Sequence, residues 1–376
     1  MSEGMPGGQV PPRLTDGVVV LRGHVTADIP RIVEQCRDPE SLRWTTIPRP
    51  YGTEQAEAFL ALIAAGWAEP GGHRYWAIED AAQPGVFMGT IDLRPRKGGS
   101  AEVGFGLHPQ GRGRGLMSGA LRLVADHWFA SGGSQLTWWA ERGNFASWRV
   151  AWACGFTMAG TVPAYLASGD GRLTDAWVAT LGAADAQEPA TPWCEPPLLE
   201  APDAGLRLRP WRDEDGDAME DRNDPAHHMP VRGILDRATF PEWLLVRRER
   251  MSRGVGMSWC VADAGSDRAL GEVVVFVHEG TLDDDTAELG YQVVPSARGR
   301  GVASVAGRLA MAHAFAAKSA GGLGMRRIVA QTAEDNAASN GVLSALGFEI
   351  WGRESEADLL PNGRAVDALH WERLRA

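Results

Sequence analysis

Strand-like and helix-like stretches alternate along this chain, and the same order of stretches occurs twice. The first set opens with a β-like stretch, Gly17–Arg22, followed by Thr26-Ala27-Asp28, residues that cap and open a helix. A second helix is predicted over Thr53–Ala65, then strands over Tyr75–Glu79, Val86–Leu93 and Ala101–Leu107. A Gly/Arg loop leads into a helix, Leu116–Ala130, and a strand, Leu136–Ala140. A short helix and a closing hairpin complete the set. The second set has a strand at Leu206–Pro210, a helix opening at Asp213-Glu214-Asp215 and a helix at Phe240–Met251. Strands follow at Trp259–Asp263, Leu270–His278 and Ala287–Val294, then a helix at Val302–Ala316 and a strand at Arg327–Gln331. Such alternation predicts an α/β or α+β fold on a mixed sheet.

The duplication is visible residue by residue. Glu102/Glu288, Gly104/Gly290, Pro109/Pro295 and Arg112-Gly-Arg-Gly115/Arg298-Gly-Arg-Gly301 are each 186 residues apart. Asn144/Asn336, Ser147/Ser339 and Gly155-Phe156/Gly347-Phe348 are each 192 apart, so a few loop insertions separate two copies of one domain-sized unit. The expected organisation is a flexible tail over 1–14, a domain over 15–182, a Pro/Ala/acidic linker over 183–203 and a second domain over 204–376.

Composition narrows the function classes. The 376 residues carry 37 Lys plus Arg against 48 Asp plus Glu, a net charge of −11, which argues against a general nucleic-acid binder. The opening residues lack the apolar run of a signal peptide, and nothing reaches the length needed to span a membrane. The four cysteines lie far apart with no CxxC spacing. The expectation is a reduced, cytoplasmic setting without nucleic-acid or membrane partners.

The Gly/Arg loops carry the strongest chemical signal. A strand, a loop with glycines and a helix start together hold phosphate: glycine lets the backbone approach an anion, and the helix start offers unpaired N–H groups and the positive dipole end. Arg112, Arg114, Arg298 and Arg300 are expected to add charge. Neither loop reads as a Gly-x-x-x-x-Gly-Lys-Ser/Thr or a Gly-x-Gly-x-x-Gly motif, so P-loop and Rossmann sites are not indicated.

The ordered set, an Arg/Gln-x-x-Gly-x-Gly/Ala loop after a strand with Asn-x-x-Ser and Gly-Phe downstream, resembles the GNAT superfamily of N-acetyltransferases. It looks closest to the RimJ/RimL-type branch, which opens with Leu-Arg-Pro and a following Asp, here Leu208-Arg209-Pro210 with Asp213/Asp215 and Leu21-Arg22 with Asp28. The resemblance covers nearly the whole chain and implies two tandem GNAT domains, each a mixed, splayed sheet flanked by helices. It implies acetyl-CoA or another acyl-CoA wedged between the central strands. The pyrophosphate would sit on the loops Arg298, Gly299, Arg300, Gly301, Val302, Ala303 and Arg112, Gly113, Arg114, Gly115, Leu116, with Val294, Leu107, Asn336 and Asn144 as further cofactor contacts. The C-terminal loop fits the pattern in one frame. The N-terminal loop has Met117 where the pattern wants a small residue, or reads in another frame from Gln110.

For the chemistry, a thioester is already activated, so an amine can attack it directly once a base takes its proton and an acid reprotonates the thiolate. By alternation Glu102 shares a strand face with Gly104/Gly106, and Glu288 with Gly290/Gln292. The resemblance makes these glutamates the general bases, as against solvated strand ends. Asn144, Asn336, Ser147 and Ser339 all read as helix-start caps, and the resemblance adds for the serines a role protonating the CoA sulfur. Gly155 and Gly347 read as helix terminators. His108 is either a base or an exposed strand-end histidine. Tyr165 and Tyr291 are further candidate acids. The adjacent His227-His228 offers too few donors for a metal, so no metal is assigned. The 15 tryptophans read mostly as packing, with a minority available for an acceptor pocket.

The leading expectation is an acyl-CoA-dependent N-acyltransferase acting on a small-molecule amine. The alternatives are a RimJ/RimL-like acetylation of a protein or peptide N-terminus, or an acyl-CoA-binding module in which one or both units do not turn over. One unit serving only as a buttress or as a homodimer surface is the structural alternative. Acceptor choice is expected to lie in about 40–70, 160–173, 225–250 and 353–366.

Overall fold

A computed structural model describes residues 10–169, 171–229, 235–360 and 362–375. The first nine residues of the expected tail and parts of the expected acceptor segments (170, 230–234 and 361) lie outside the described residues. The chain divides into two compact units, one ending at Ala190 and the other beginning at Thr191.

The N-terminal unit runs β1 (Leu14–Thr15), β2 (Val19–Arg22), α1 (Ile29–Arg37), α2 (Pro39–Trp44), α3 (Thr53–Ala68), β3 (Arg74–Asp80), β4 (Phe87–Pro95) and β5 (Ser100–Leu107). It continues with α4 (Leu116–Ala130), β6 (Gln135–Glu141), α5 (Phe145–Ala153), β7 (Thr157–Ala167) and β8 (Leu173–Gly182). The C-terminal unit runs β9 (Leu199–Ala201), β10 (Leu206–Arg209), α6 (Phe240–Ser252), β11 (Gly256–Asp263), β12 (Ala269–Phe276) and β13 (Thr286–Val293). It closes with α7 (Val302–Phe315), β14 (Arg327–Ala333), α8 (Ala337–Ala345), β15 (Glu349–Leu359) and β16 (Ala365–Leu374).

Each unit holds one mixed sheet of the same order: β1-β2-β3-β4-β5-β6-β8-β7, and β9-β10-β11-β12-β13-β14-β16-β15. One pair in each sheet is parallel, β5 with β6 and β13 with β14. Both pairs come apart part-way. β5 and β6 pair only from Ser100↔Gln135 to Val103↔Trp138, and β13 and β14 only from Thr286↔Arg327 to Glu288↔Val329. The remaining halves of these strands diverge and leave a fork in the middle of each sheet.

The sequence accounts for the framework. Trp76 and Trp259 are fully buried mid-strand, and each indole N–H donates to a proline carbonyl, Pro12 and Pro197, at 3.0 Å. Truncating such a side chain to alanine costs about 3–5 kcal/mol. The buried face of α7 is mostly small, with Ala306, Gly307, Ala310 and Ala314 beside Val302 and Met311. Arg22 and Arg209, at the ends of β2 and β10, form two-pronged ion pairs with Asp28 (2.8 and 2.9 Å) and Asp215 (2.8 and 2.7 Å). The Leu-Arg-Pro…Asp pattern is therefore a buried clamp on the strand exit.

Three local expectations change. The expected tail is packed from Pro12, whose carbonyl caps Trp76, into β1, which pairs with β2. The expected linker is likewise part of a sheet: β9 pairs with β10, and Pro197 caps Trp259. Pro197 with β9 repeats the role of Pro12 with β1, so the apparent linker contains the opening arm of the second copy. Finally, Asp213-Glu214-Asp215 opens only a 3₁₀ run, Asp213–Ala218, where the first unit builds α1. That run holds Gly216 and lacks the apolar 3.6-residue spacing that gives α1 its buried Ile29, Ile32 and Cys36.

Candidate active site

The C-terminal fork opens into a cavity of about 500 Å³. Its walls are the diverging end of β13 (Tyr291, Gln292, Val293), the loop and first turn of α7 (Arg298, Gly299, Gly301 to Ser304) and the first turns of α8 (Asn336, Ala338, Ser339, Val342). Arg222, Asp224, His228 and Met229 close the side.

The loop's shape follows from its glycines. Gly299 and Gly301 sit in the left-handed region at φ 70° and 75°, and a Cβ on either would meet nothing within 4 Å. The backbone thus turns outward into open space as α7 begins, with the helix-start N–H groups and positive dipole end beside the cavity. Gly113 and Gly115 repeat this geometry at φ 70° and 74° ahead of α4.

Three of the four loop arginines are taken up in ion pairs rather than left free to add charge. Arg298 grips Asp224 with both terminal nitrogens at 2.8 Å, and Arg112 reaches Asp38 at 2.5 Å. Arg114 pairs with Asp80. Arg300 is exposed and acts on Asp263 through its charge. Burial works to raise the Asp224 carboxyl, but hydrogen bonds from Arg298 and Arg222 outweigh it and hold the group below its ordinary value. A polar chain continues inward from that pair. Arg222 donates to Gln292 Oε1 at 3.3 Å, and Gln292 Nε2 donates to Glu272 at 3.2 Å. Glu272 is gripped by Arg247 and accepts from Ser258. Gln292, the residue at the cavity wall, is thereby fixed from both sides. Asp38 and Asp224 share the 186-residue spacing of the loops, so that spacing was the available signal for a pairing that local pattern does not reveal.

Asn336 and Ser339 meet as the sequence suggested. Asn336 Oδ1 accepts from Ser339 N at 3.2 Å as the cap of α8, and Asn144 does the same for Ser147 in α5 at 3.1 Å. Gly155 and Gly347 end these helices at φ 83° and 76°. Tyr291 donates to the Ser339 carbonyl at 3.1 Å, and burial pushes its phenol up to about 12, so it keeps its proton at neutral pH.

The glutamates differ between units. Glu288 occupies the last paired position before the fork, opposite Phe276 and Val329. It is not among the cavity-lining residues, and its carboxylate hydrogen-bonds the exposed His278 at 2.6 Å. Glu102 is held instead by Arg94 at 2.7 Å and by Arg96. Arg94 also pairs with Asp92, and this pair lies across Gly104, where a Cβ would stand 2.6 Å from both side chains.

Other expected site residues fall elsewhere. Val294 is buried at the start of a 3₁₀ turn and is not among the cavity-lining residues. Leu107 offers only its carbonyl, to Arg112 at 3.4 Å. Leu116 is buried in α4, as is Met117, the counterpart of the cavity-lining Ala303. His108 is buried, not exposed: it contacts Glu34 at 3.0 Å and Arg31 at 3.1 Å and accepts from Gln110 N. Tyr165 is half-exposed and stacks on Trp139. Trp138 and Trp148 are core residues, and the Trp138 indole donates to Ser147 Oγ at 3.1 Å.

Among the described residues no helix is long and apolar enough to cross a membrane. Comparison with known proteins agrees with the duplicated architecture. The acetyltransferase (GNAT) domain model matches twice, at residues 19–157 and 205–349. A mycothiol acetyltransferase of a Nocardioides species is 28% identical over 265 residues, 66% of this chain and 76% of that protein. Among solved structures, Mycobacterium smegmatis RimJ in complex with CoA-disulfide matches 46% of this chain and 87% of its own, at 21% identity and a TM-score of 0.41. Ribosomal-protein-S5-alanine acetyltransferase from Vibrio fischeri matches 48% and 97%, at 19% identity and a TM-score of 0.39.

Proposed function

This chain belongs to the acetyltransferase (GNAT) family, and on that premise we propose that it transfers an acetyl group from acetyl-CoA to the amine of a small molecule, with the C-terminal fork as the working site. The observation that carries this reading is the cavity itself. It has a helix start with two outward-turned glycines on one wall and a second helix start, bearing Asn336 and Ser339, on the other. The loop Gly299 to Ser304 would take the pyrophosphate on its N–H groups, with Arg298 holding the loop in shape through Asp224. The thioester arm would run into the fork towards Asn336 and Ser339.

An acceptor amine approaching from the side of Glu288 would give up its proton to that carboxylate, through water, as its lone pair attacks the thioester carbonyl. Collapse of the tetrahedral intermediate breaks the C–S bond, and Ser339 Oγ returns a proton to the leaving thiolate. Tyr291 holds the Ser339 turn through its hydrogen bond to the Ser339 carbonyl. Glu102 is less available by comparison, because Arg94 and Arg96 occupy its two carboxylate oxygens. The alignment of two-thirds of the chain with a mycothiol acetyltransferase supports a small molecule over a protein N-terminus as acceptor.

The test is release of free CoA from acetyl-CoA on mixing with panels of small amines and of N-terminal peptides. Turnover with at least one small amine, and none with peptides, is the expected outcome. Turnover confined to peptides would replace the acceptor class, and CoA binding without turnover on either panel would make the protein a binding module.

A further inference from the structure

Beside the cavity, three donors from distant parts of the chain converge. His227 and His228 end a 3₁₀ turn, Ala226–His228, and Asp335 stands immediately before the cap of α8. His227 Nε2 lies 2.9 Å and His228 Nε2 lies 2.8 Å from the same oxygen, Asp335 Oδ1. The two imidazoles are 4.2 Å apart, with side chains only 11% and 22% exposed. The three donor atoms all lie within 4.8 Å of one another.

We propose that His227, His228 and Asp335 form a site for a divalent transition-metal ion of the zinc class. Two imidazole nitrogens and a carboxylate oxygen form a donor set that selects zinc, cobalt or nickel over magnesium or calcium. Ligands about 2.0–2.1 Å from a tetrahedral ion stand about 3.3 Å apart, so an ion would open the two histidine–aspartate spacings by about half an ångström and hold the two imidazole nitrogens, now within 4.8 Å, at the same separation. Three protein donors leave a fourth position for water. Arg364 donates to the other carboxylate oxygen at 2.9 Å. It orients the carboxylate as an outer partner, and with a side chain 57% exposed it can swing away from an arriving cation.

The ion would fasten the Ala226–His228 turn to the turn that opens α8. His228 and Met229 line the cavity from one of these turns and Asn336 from the other, so metal occupancy would set the width of the cavity wall. The ion's place is structural, and the site is independent of whether acetyl-CoA is the ligand of that cavity. In the sequence only the adjacent histidine pair stands out, because Asp335 lies more than a hundred residues away and shares no spacing with it.

The test is titration of the chelator-treated protein with cobalt(II), followed by its visible absorption, together with thermal melting in zinc(II) and in chelator. No CoA is present, so failure here leaves the acetyltransferase reading untouched. The expected result is one saturable cobalt equivalent per chain and a melting temperature that rises with zinc. Asp335→Asn and His228→Gln are each expected to weaken cobalt binding at least about tenfold and to abolish the rise in melting temperature on going from chelator to zinc. His370→Gln, which alters a histidine–glutamate contact elsewhere, should bind as the wild type does. Absence of a saturable equivalent in the wild type, or one that survives both Asp335→Asn and His228→Gln, overturns the site.

Discussion

The two forks share a backbone and differ in side chains. Both loops carry left-handed glycines at nearly equal φ, both are tied down by an Arg–Asp pair, and both helices after the fork are capped by Asn on Ser. Around that common frame the side chains differ at matched positions. Met117 is buried where Ala303 lines the cavity, and Glu102 is locked by two arginines where Glu288 meets one exposed histidine. The Ser147 hydroxyl accepts from Trp138, and the position of that indole is an alanine, Ala330, in the second unit. A duplicated fold can thus keep the same loop geometry in both copies while the side chains around it favour chemistry in the second.

The sharpest break of this comparison is at the glutamates. Glu288→Gln is expected to lower kcat by about 10²- to 10⁴-fold with acetyl-CoA affinity retained, whereas Glu102→Gln leaves kcat within about twofold of wild type. Steady-state kinetics with calorimetry checks both, and equal losses would mean both forks turn over. A smaller effect is expected on giving the C-terminal helix its counterpart's side chain. Ala303→Met should weaken acetyl-CoA binding by about 10- to 100-fold, the equivalent of about 1–3 kcal/mol of overpacking, while preserving the melting temperature.

The smallest expected difference concerns acid. His24, between Phe59 and Phe87 and hydrogen-bonded to Thr90, occupies the place that Trp211 fills in the second unit. Burial, reinforced by Arg22 and opposed by Asp28, pushes its pKa down from 6.5 to about 4. The fold therefore favours the neutral ring. The associated stability is complete above about pH 6.5 and is lost as pH falls towards about 4. The N-terminal unit should lose melting temperature across that window, and His24→Phe should remove that part of the loss. A pH profile unchanged by the substitution would contradict the burial argument.

Most of the framework was legible because it is written in local pattern and in repetition. Apolar periodicity located α4 and α7 and the central strands, and the 186-residue spacing by itself aligned the two loops. What escaped was whatever depends on long-range pairing of polar side chains. The loop arginines read as phosphate ligands because nothing nearby in sequence neutralises them, yet Asp38 and Asp224 reach them from over seventy residues upstream. Glu102 and Glu288 read as equals because Arg94 and Arg96 sit on the neighbouring strand and its exit, and only register brings them together. The apparent linker misled for a different reason: β9 is three residues long and proline-flanked, too short for alternation to show.

The most direct measurement is to compare turnover and acetyl-CoA binding in Gly115→Glu and Gly301→Glu. Both substitutions place a carboxylate at a left-handed helix start with open space around the Cβ, so each should repel pyrophosphate at a similar, modest conformational cost. The prediction is that Gly301→Glu abolishes turnover along with binding at the C-terminal fork, while Gly115→Glu leaves kcat and KM unchanged. Loss of turnover with Gly115→Glu and its persistence with Gly301→Glu would move the working site to the N-terminal unit and contradict the assignment made from the cavity.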